Sequence, residues 1–113
     1  MFRGYDDDYV QFGDEKLSHS FTLHHGTVSA WRPESLADIR LEDLALFSEQ
    51  LPEVLLIGTG RKTVFPDVTI LQALDESHIG YECMDSRAAA RTYNILVGEG
   101  RNVSLAMLLP GAS

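Results

Sequence analysis

The chain contains a single cysteine, Cys83, so no internal disulfide can form and the fold has to rest on core packing. That suits a reducing compartment. Long hydrophobic runs are missing as well: none approaches the ~20 apolar residues of a membrane-crossing helix, so an integral membrane protein is not expected. The start, Met1-Phe2-Arg3-Gly4-Tyr5-Asp6-Asp7-Asp8, lacks the apolar block of a signal peptide, which makes the expected location cytoplasmic. Bases are scarce, 9 against 17 acids for a net charge of −8, and such a field repels a phosphate backbone. Nucleic acid is excluded as a partner on that ground.

Several chemical signatures are absent too. The phosphate loop of nucleotide hydrolases needs four residues between its glycines and then lysine with serine or threonine, and no stretch supplies it. No serine sits in a nucleophile elbow, and no pair of carboxylates has a spacing that predicts shared acid-base work. His19, His24, His25 and His78 lack ligand spacing, because adjacent residues of a strand face opposite ways. No metal and no cofactor are expected.

What is present centres on Val54-Leu55-Leu56-Ile57, four apolar residues without alternation, followed at once by Gly58-Thr59-Gly60. A continuous apolar run of this length predicts a strand buried on both faces. Glycines at its carboxyl end mark the place where α/β folds collect ligands. A dinucleotide-binding turn is argued against by Thr63 at the third glycine position and by Pro66, which starts the next helix six residues after Gly60.

Around this strand the pattern is consistent. Residues 1–8, with three adjacent aspartates, predict a flexible acidic tail, and 9–113 a single α/β domain. From Tyr9 to Trp31 the period is two, with breaks at Gly13-Asp14 and His25-Gly26, predicting short antiparallel strands. A helix is expected from about Leu41 to Gln50, ended by Pro52. A second begins at Pro66 with Val68, Leu71 and Leu74 facing the core and Ile70 partly to the side. Tyr81–Met84 reads as a strand, with Cys83 a buried, inert thiol. Asp85 or Ser86 caps a third helix, Arg87 to Val97, which puts Ala89, Tyr93 and Leu96 on one face. Asn102 to Leu109 reads as the last strand, placed at a sheet edge where it could pair with another chain. Alternating strands and helices are crossover units, so the fold class is α/β: one three-layer domain with a mixed central sheet, crossover helices and a β-rich N-terminal flap.

Charge is uneven along the chain. Residues 1–53 hold 11 acids and 4 bases, whereas 54–113 hold 6 acids and 5 bases. The loops after the strands at 54–57 and 81–84 open on one edge of the sheet. They direct Gly58, Thr59, Gly60, Arg61, Lys62, Asp85, Ser86 and Arg87 toward a common rim, where backbone donors and guanidinium groups can meet an anion. The plain alternative is tight strand–loop packing, with Asp85 a helix cap. Asn94 and Arg101 are further ligand-binding candidates: a helical asparagine with a buried amide needs partners, and Arg101 can reach a helix end, pair with Glu99 or stand solvated in a turn.

Leu56-Ile57-Gly58-Thr59-Gly60, Phe65-Pro66, Gly80-Tyr81-Glu82-Cys83-Met84-Asp85, Ala89-Ala90-Arg91-Thr92-Tyr93-Asn94-Ile95-Leu96 and Glu99-Gly100-Arg101 occur here in that order. This arrangement resembles a domain-of-unknown-function family of small bacterial and archaeal proteins that includes the mitochondrial complex I assembly factor 3. The match covers most of residues 9–109 and is strongest over 54–101. The resemblance implies a three-layer α/β domain with a mixed sheet and action through protein contacts. It attaches no catalytic role to the matching residues Gly58, Gly60, Asp85, Ala90, Tyr93, Asn94 and Arg101, and the chain looks like a stand-alone bacterial form. Two functions follow as expectations. One is a non-enzymatic interaction or assembly factor with a protein partner, possessing an exposed apolar patch. The other is a small-anion or small-molecule binder or enzyme with a concave pocket at the Gly58–Gly60 and Asp85–Arg87 rim.

Overall fold

A computed structural model describes residues 1–113. Strands β1 (Phe2–Asp6), β2 (Tyr9–Phe12) and β3 (Glu15–Leu17) form a small antiparallel sheet. Strands β4 (Phe21–His24) and β5 (Thr27–Ala30) open the main sheet. Two 3-10 turns (Leu36–Asp38 and Leu41–Leu44) and the short helix α1 (Leu46–Glu49) follow. The chain then runs through β6 (Val54–Gly58), α2 (Val68–Glu76), β7 (Tyr81–Met84), α3 (Ser86–Gly98) and β8 (Val103–Met107). The main sheet has the order β5-β4-β8-β6-β7, with β6 parallel to β7 and β8 and β4 antiparallel to both of its neighbours, so it is mixed.

Every residue of β6 is buried, as an apolar run without alternation requires. Leu56 faces a core shared with Ala89, Ala90 and Tyr93 of α3 and with Phe2, Val10 and Leu17 of the small sheet. Leu55 and Ile57 face a second core with Ile70 and Leu74 of α2, Phe47 of α1 and Trp31. The sheet is thus covered on both sides, α3 and the flap on one and α1 with α2 on the other, and the α/β three-layer architecture with its mixed sheet is as expected.

Four local expectations need correction. The flexible tail expected over residues 1–8 contains β1: Phe2 is 7% exposed, packed against the rings of Phe12, Phe21 and Tyr93. One aromatic ring placed in the core outweighs the acidic run beside it. The last strand is not an edge. It lies between β4 and β6, and all five of its residues are buried, so the edges are β5 and β7. The helix expected over 41–50 is broken into a 3-10 turn and one α turn; the Asp43 carboxylate, accepting from Arg40 N–H and from the Arg32 guanidinium, caps the start of the first of them. In α2, Ile70 and Leu74 take the buried face while Val68, at the first position, points to solvent.

Candidate functional site

The exit of β6 and the start of α3 do meet. Ser86 N–H donates to the Gly60 carbonyl at 2.9 Å, and Gly60 N–H donates to Ser86 Oγ at 2.9 Å. Ser86 Oγ in turn donates to the Leu108 carbonyl at 2.6 Å, so this buried hydroxyl ties three segments together. Gly58 sits where a Cβ would overlap Met107 Sδ and press on Ser86 Oγ. Gly60, at φ +95°, lies against the Ala112 carbonyl. These are the close approaches that demand glycine.

Thr59 is 1% exposed; its N–H donates to the Met84 carbonyl at 2.8 Å and its Oγ1 to the Lys62 carbonyl at 2.5 Å. Asp85 caps α3, accepting from Ala88 N–H at 2.9 Å, while its own N–H donates to Thr63 Oγ1 at 3.1 Å.

The cations of the rim are brought together around a carboxylate of the chain itself. Arg87 donates to Asp7 Oδ1 at 2.7 Å, and Arg61 reaches Asp7 Oδ2 at 3.5 Å and the Gly111 carbonyl at 3.3 Å. The Arg87 hydrogen bond, followed by the Arg61 charge, holds the Asp7 carboxyl below the usual carboxylate range, and the same bond raises Arg87. Asp7 is fixed in turn by its carbonyl, which accepts from Gly111 N–H at 2.8 Å. A cleft of about 330 Å³ lies beside the rim, lined by Thr59, Arg61, Lys62 and Val64, and neither Asp85, Ser86 nor Arg87 opens into it.

Asn94 and Arg101 are elsewhere. Asn94 bonds the backbone of Phe2. Arg101 pairs with Glu53 Oε2 at 3.2 Å, at the entry end of β6, roughly 17 Å from its exit by strand rise. Burial pushes the Cys83 thiol up to about 11, well away from thiolate chemistry near neutrality.

Two features were not found from the sequence. Asp7 is hidden in an acidic run whose composition speaks of a tail. The exposure of Phe65 has no marker in the chain, since an aromatic before a proline reads equally well as core or surface.

The model of a protein family of unknown function, DUF498/DUF598, matches residues 2–108. The "13 kDa major membrane protein" of Francisella tularensis subsp. holarctica is 37% identical over 71 residues, 63% of this chain and 58% of that protein. The "NADH dehydrogenase (ubiquinone) 1 alpha subcomplex assembly factor 3" of Xenopus tropicalis is 37% identical over 82 residues, 71% of this chain and 44% of that one. The chain therefore spans about half the length of the curated relatives it matches. A crystal structure of a Bordetella parapertussis protein superposes with a TM-score of 0.86 at 37% identity, covering 96% of this chain and 93% of that one. No helix here is long and apolar enough to cross a membrane. A family model that runs from β1 to the residue after β8 takes in both sheets and the rim between them, and the chain belongs to the DUF498/DUF598 family.

Proposed function

We propose that this chain is a non-enzymatic protein-interaction module of the assembly-factor kind. The carrying observation is that the rim's chemistry is consumed inside the molecule: the Arg87 guanidinium, the group best suited to hold an anion, is paired with Asp7 at 2.7 Å. Ser86 and Asp85 are likewise engaged, the one in joining β6, α3 and the segment after β8, the other in capping. Beside the rim the surface turns apolar: Val64 and Phe65 of the β6–α2 connection and Val68 at the start of α2 stand exposed. The assembly-factor name of the Xenopus tropicalis relative supports the same reading. The membrane-protein name of the Francisella relative fits a module that works on proteins beside a membrane without spanning it.

The test is purification of the tagged full chain from its host with reciprocal purification through the tagged candidate partner. The expected result is one protein recovered in both directions at fixed stoichiometry. Recovery of this chain alone, together with a thermal shift on adding phosphates, carboxylates or nucleotides, would overturn the interaction role.

A further inference from the structure

We propose that the segment Arg61–Val68, which links β6 to α2, is the docking surface of this module, and that it receives an apolar segment of a partner protein bordered by aspartate or glutamate side chains. The inference rests on the interaction reading above and names the surface that carries it.

The first ground is exposure without a folding use. Phe65 is 66% exposed, Val68 60% and Val64 39%, all within five positions, whereas Met1, Leu41, Leu51 and Ile95 are exposed singly along the chain. Isolated apolar side chains on a surface are ordinary, and a cluster of large ones is not.

The second ground is rigidity. Thr59, buried beneath the loop, donates to the Lys62 carbonyl and accepts from Val64 N–H at 3.4 Å. Thr63 Oγ1 accepts from Asp85 N–H, and Arg61 N–H donates to the Ala112 carbonyl at 2.9 Å. Pro66 fixes its own φ. The loop is therefore pinned from behind while its apolar side chains face outward, and a surface already ordered loses little freedom on association.

The third ground is charge. In a molecule of net charge −8, this segment holds two bases, Arg61 and Lys62, against one acid, Asp67. Lys62 takes part in no ion pair, and Arg61, held by Asp7 at 3.5 Å and by the Gly111 carbonyl at 3.3 Å, keeps a half-exposed side chain. Carboxylates beside a partner's apolar face are attracted here and repelled over the acidic remainder, which selects both the partner and the place it lands. Beside Phe65 a groove of about 360 Å³, lined by Leu36, Ala37 and Ile39 together with Asp67 and Ser113, offers an apolar side chain somewhere to enter. An anionic bilayer is the poorer fit, because two bases draw it weakly while the remaining acids repel it.

The experiment is selection of ligands from a random peptide library on the full chain. Enriched peptides are then titrated by fluorescence anisotropy onto the wild type, F65S, K62E and I95S. All three positions are exposed, so the variants keep the fold, which thermal melting checks. The expected peptides are apolar with a net negative charge. F65S weakens them about tenfold or more, as loss of an aromatic anchor does. K62E weakens them about threefold, wild-type affinity falls as salt rises, and I95S changes nothing. Basic or uncharged winners, no enrichment, equal binding by F65S, or Phe65-dependent co-sedimentation with phosphatidylglycerol vesicles each overturns this surface. A host partner that co-purifies equally with F65S keeps the interaction role and removes only its assignment to Arg61–Val68.

Discussion

The side-chain amide of Asn94 takes both backbone hydrogen bonds of Phe2: Phe2 N–H donates to Asn94 Oδ1 at 2.8 Å, and Asn94 Nδ2 donates to the Phe2 carbonyl at 2.8 Å. A helix side chain thereby acts as the missing neighbour of a strand and ties the flap to α3.

Asn94→Leu removes both partners and leaves the two peptide groups of Phe2 half-buried and unpaired. The expected loss is about 2 kcal/mol by the usual cost of orphaned backbone groups. Chemical denaturation measures it, and hydrogen exchange should show the Phe2 amide opening first. Asn94→Asp keeps the acceptor and loses the donor, so it should fall between the two. An unchanged denaturation midpoint in both variants would show that the pairing contributes nothing.

How far the chain could be read without coordinates follows from which interactions are local. Val54–Ile57, the glycine exit and the Asp85 cap were legible because an apolar run, a turn and a cap each carry their signal in consecutive residues. The strand at Phe2 was not, since its partner Asn94 lies 92 residues away and its acidic neighbours suggest solvation. The place of β8 was not legible either: strand order is set by long-range pairing, and a strand flanked on both sides can still alternate in sequence. Of the rim residues, Gly60 and Ser86 meet through hydrogen bonds and Arg61 and Arg87 converge on Asp7, whose carboxylate comes from a segment whose composition pointed elsewhere.

Gly60 and Gly100 separate two reasons for glycine. Both have positive φ, +95° and +80°, but only at Gly60 does an added Cβ run into backbone, the Ala112 carbonyl. Gly100→Ala should cost about 1 kcal/mol, the conformational term alone. Gly60→Ala should cost about 2 kcal/mol beyond that, because a carbonyl in a tied segment cannot step aside. Equal losses on thermal or urea unfolding would mean that the segment after β8 yields freely.

Asp7 gives the rim a pH dependence with a definite sign. Its folded pKa is held below the ordinary value of 3.8, chiefly by the Arg87 hydrogen bond and then by the Arg61 charge. Its contribution is therefore present above 3.8 and is lost as pH falls through the lowered value. Asp7→Asn should be less stable than the wild type at neutral pH and converge with it in acid, with the gap narrowing as salt rises. Parallel stability curves across that range would mean that the ion pair adds nothing to the fold.

His24 works in the opposite part of the scale. Its Nδ1 lies 2.7 Å from Ser104 Oγ, its ring stands edge-on to Phe47 at 5.2 Å, and its Nε2 is buried without a partner. Burial, reinforced by neighbouring His25 and opposed by Glu49, lowers its pKa from 6.5, so the fold prefers the neutral ring. As pH drops through 6.5 toward the lowered value, the unfolded chain binds a proton that the folded one refuses, and stability declines across that window. His24→Phe keeps a ring against Phe47 and leaves the Ser104 hydroxyl unpaired, so it should start about 1–2 kcal/mol lower at neutral pH. Having no proton to take, it should then lose less than the wild type on acidification. The two proteins differ only at this position, so the difference in slope between their melting-temperature profiles isolates His24. Identical slopes would place the acid sensitivity outside His24.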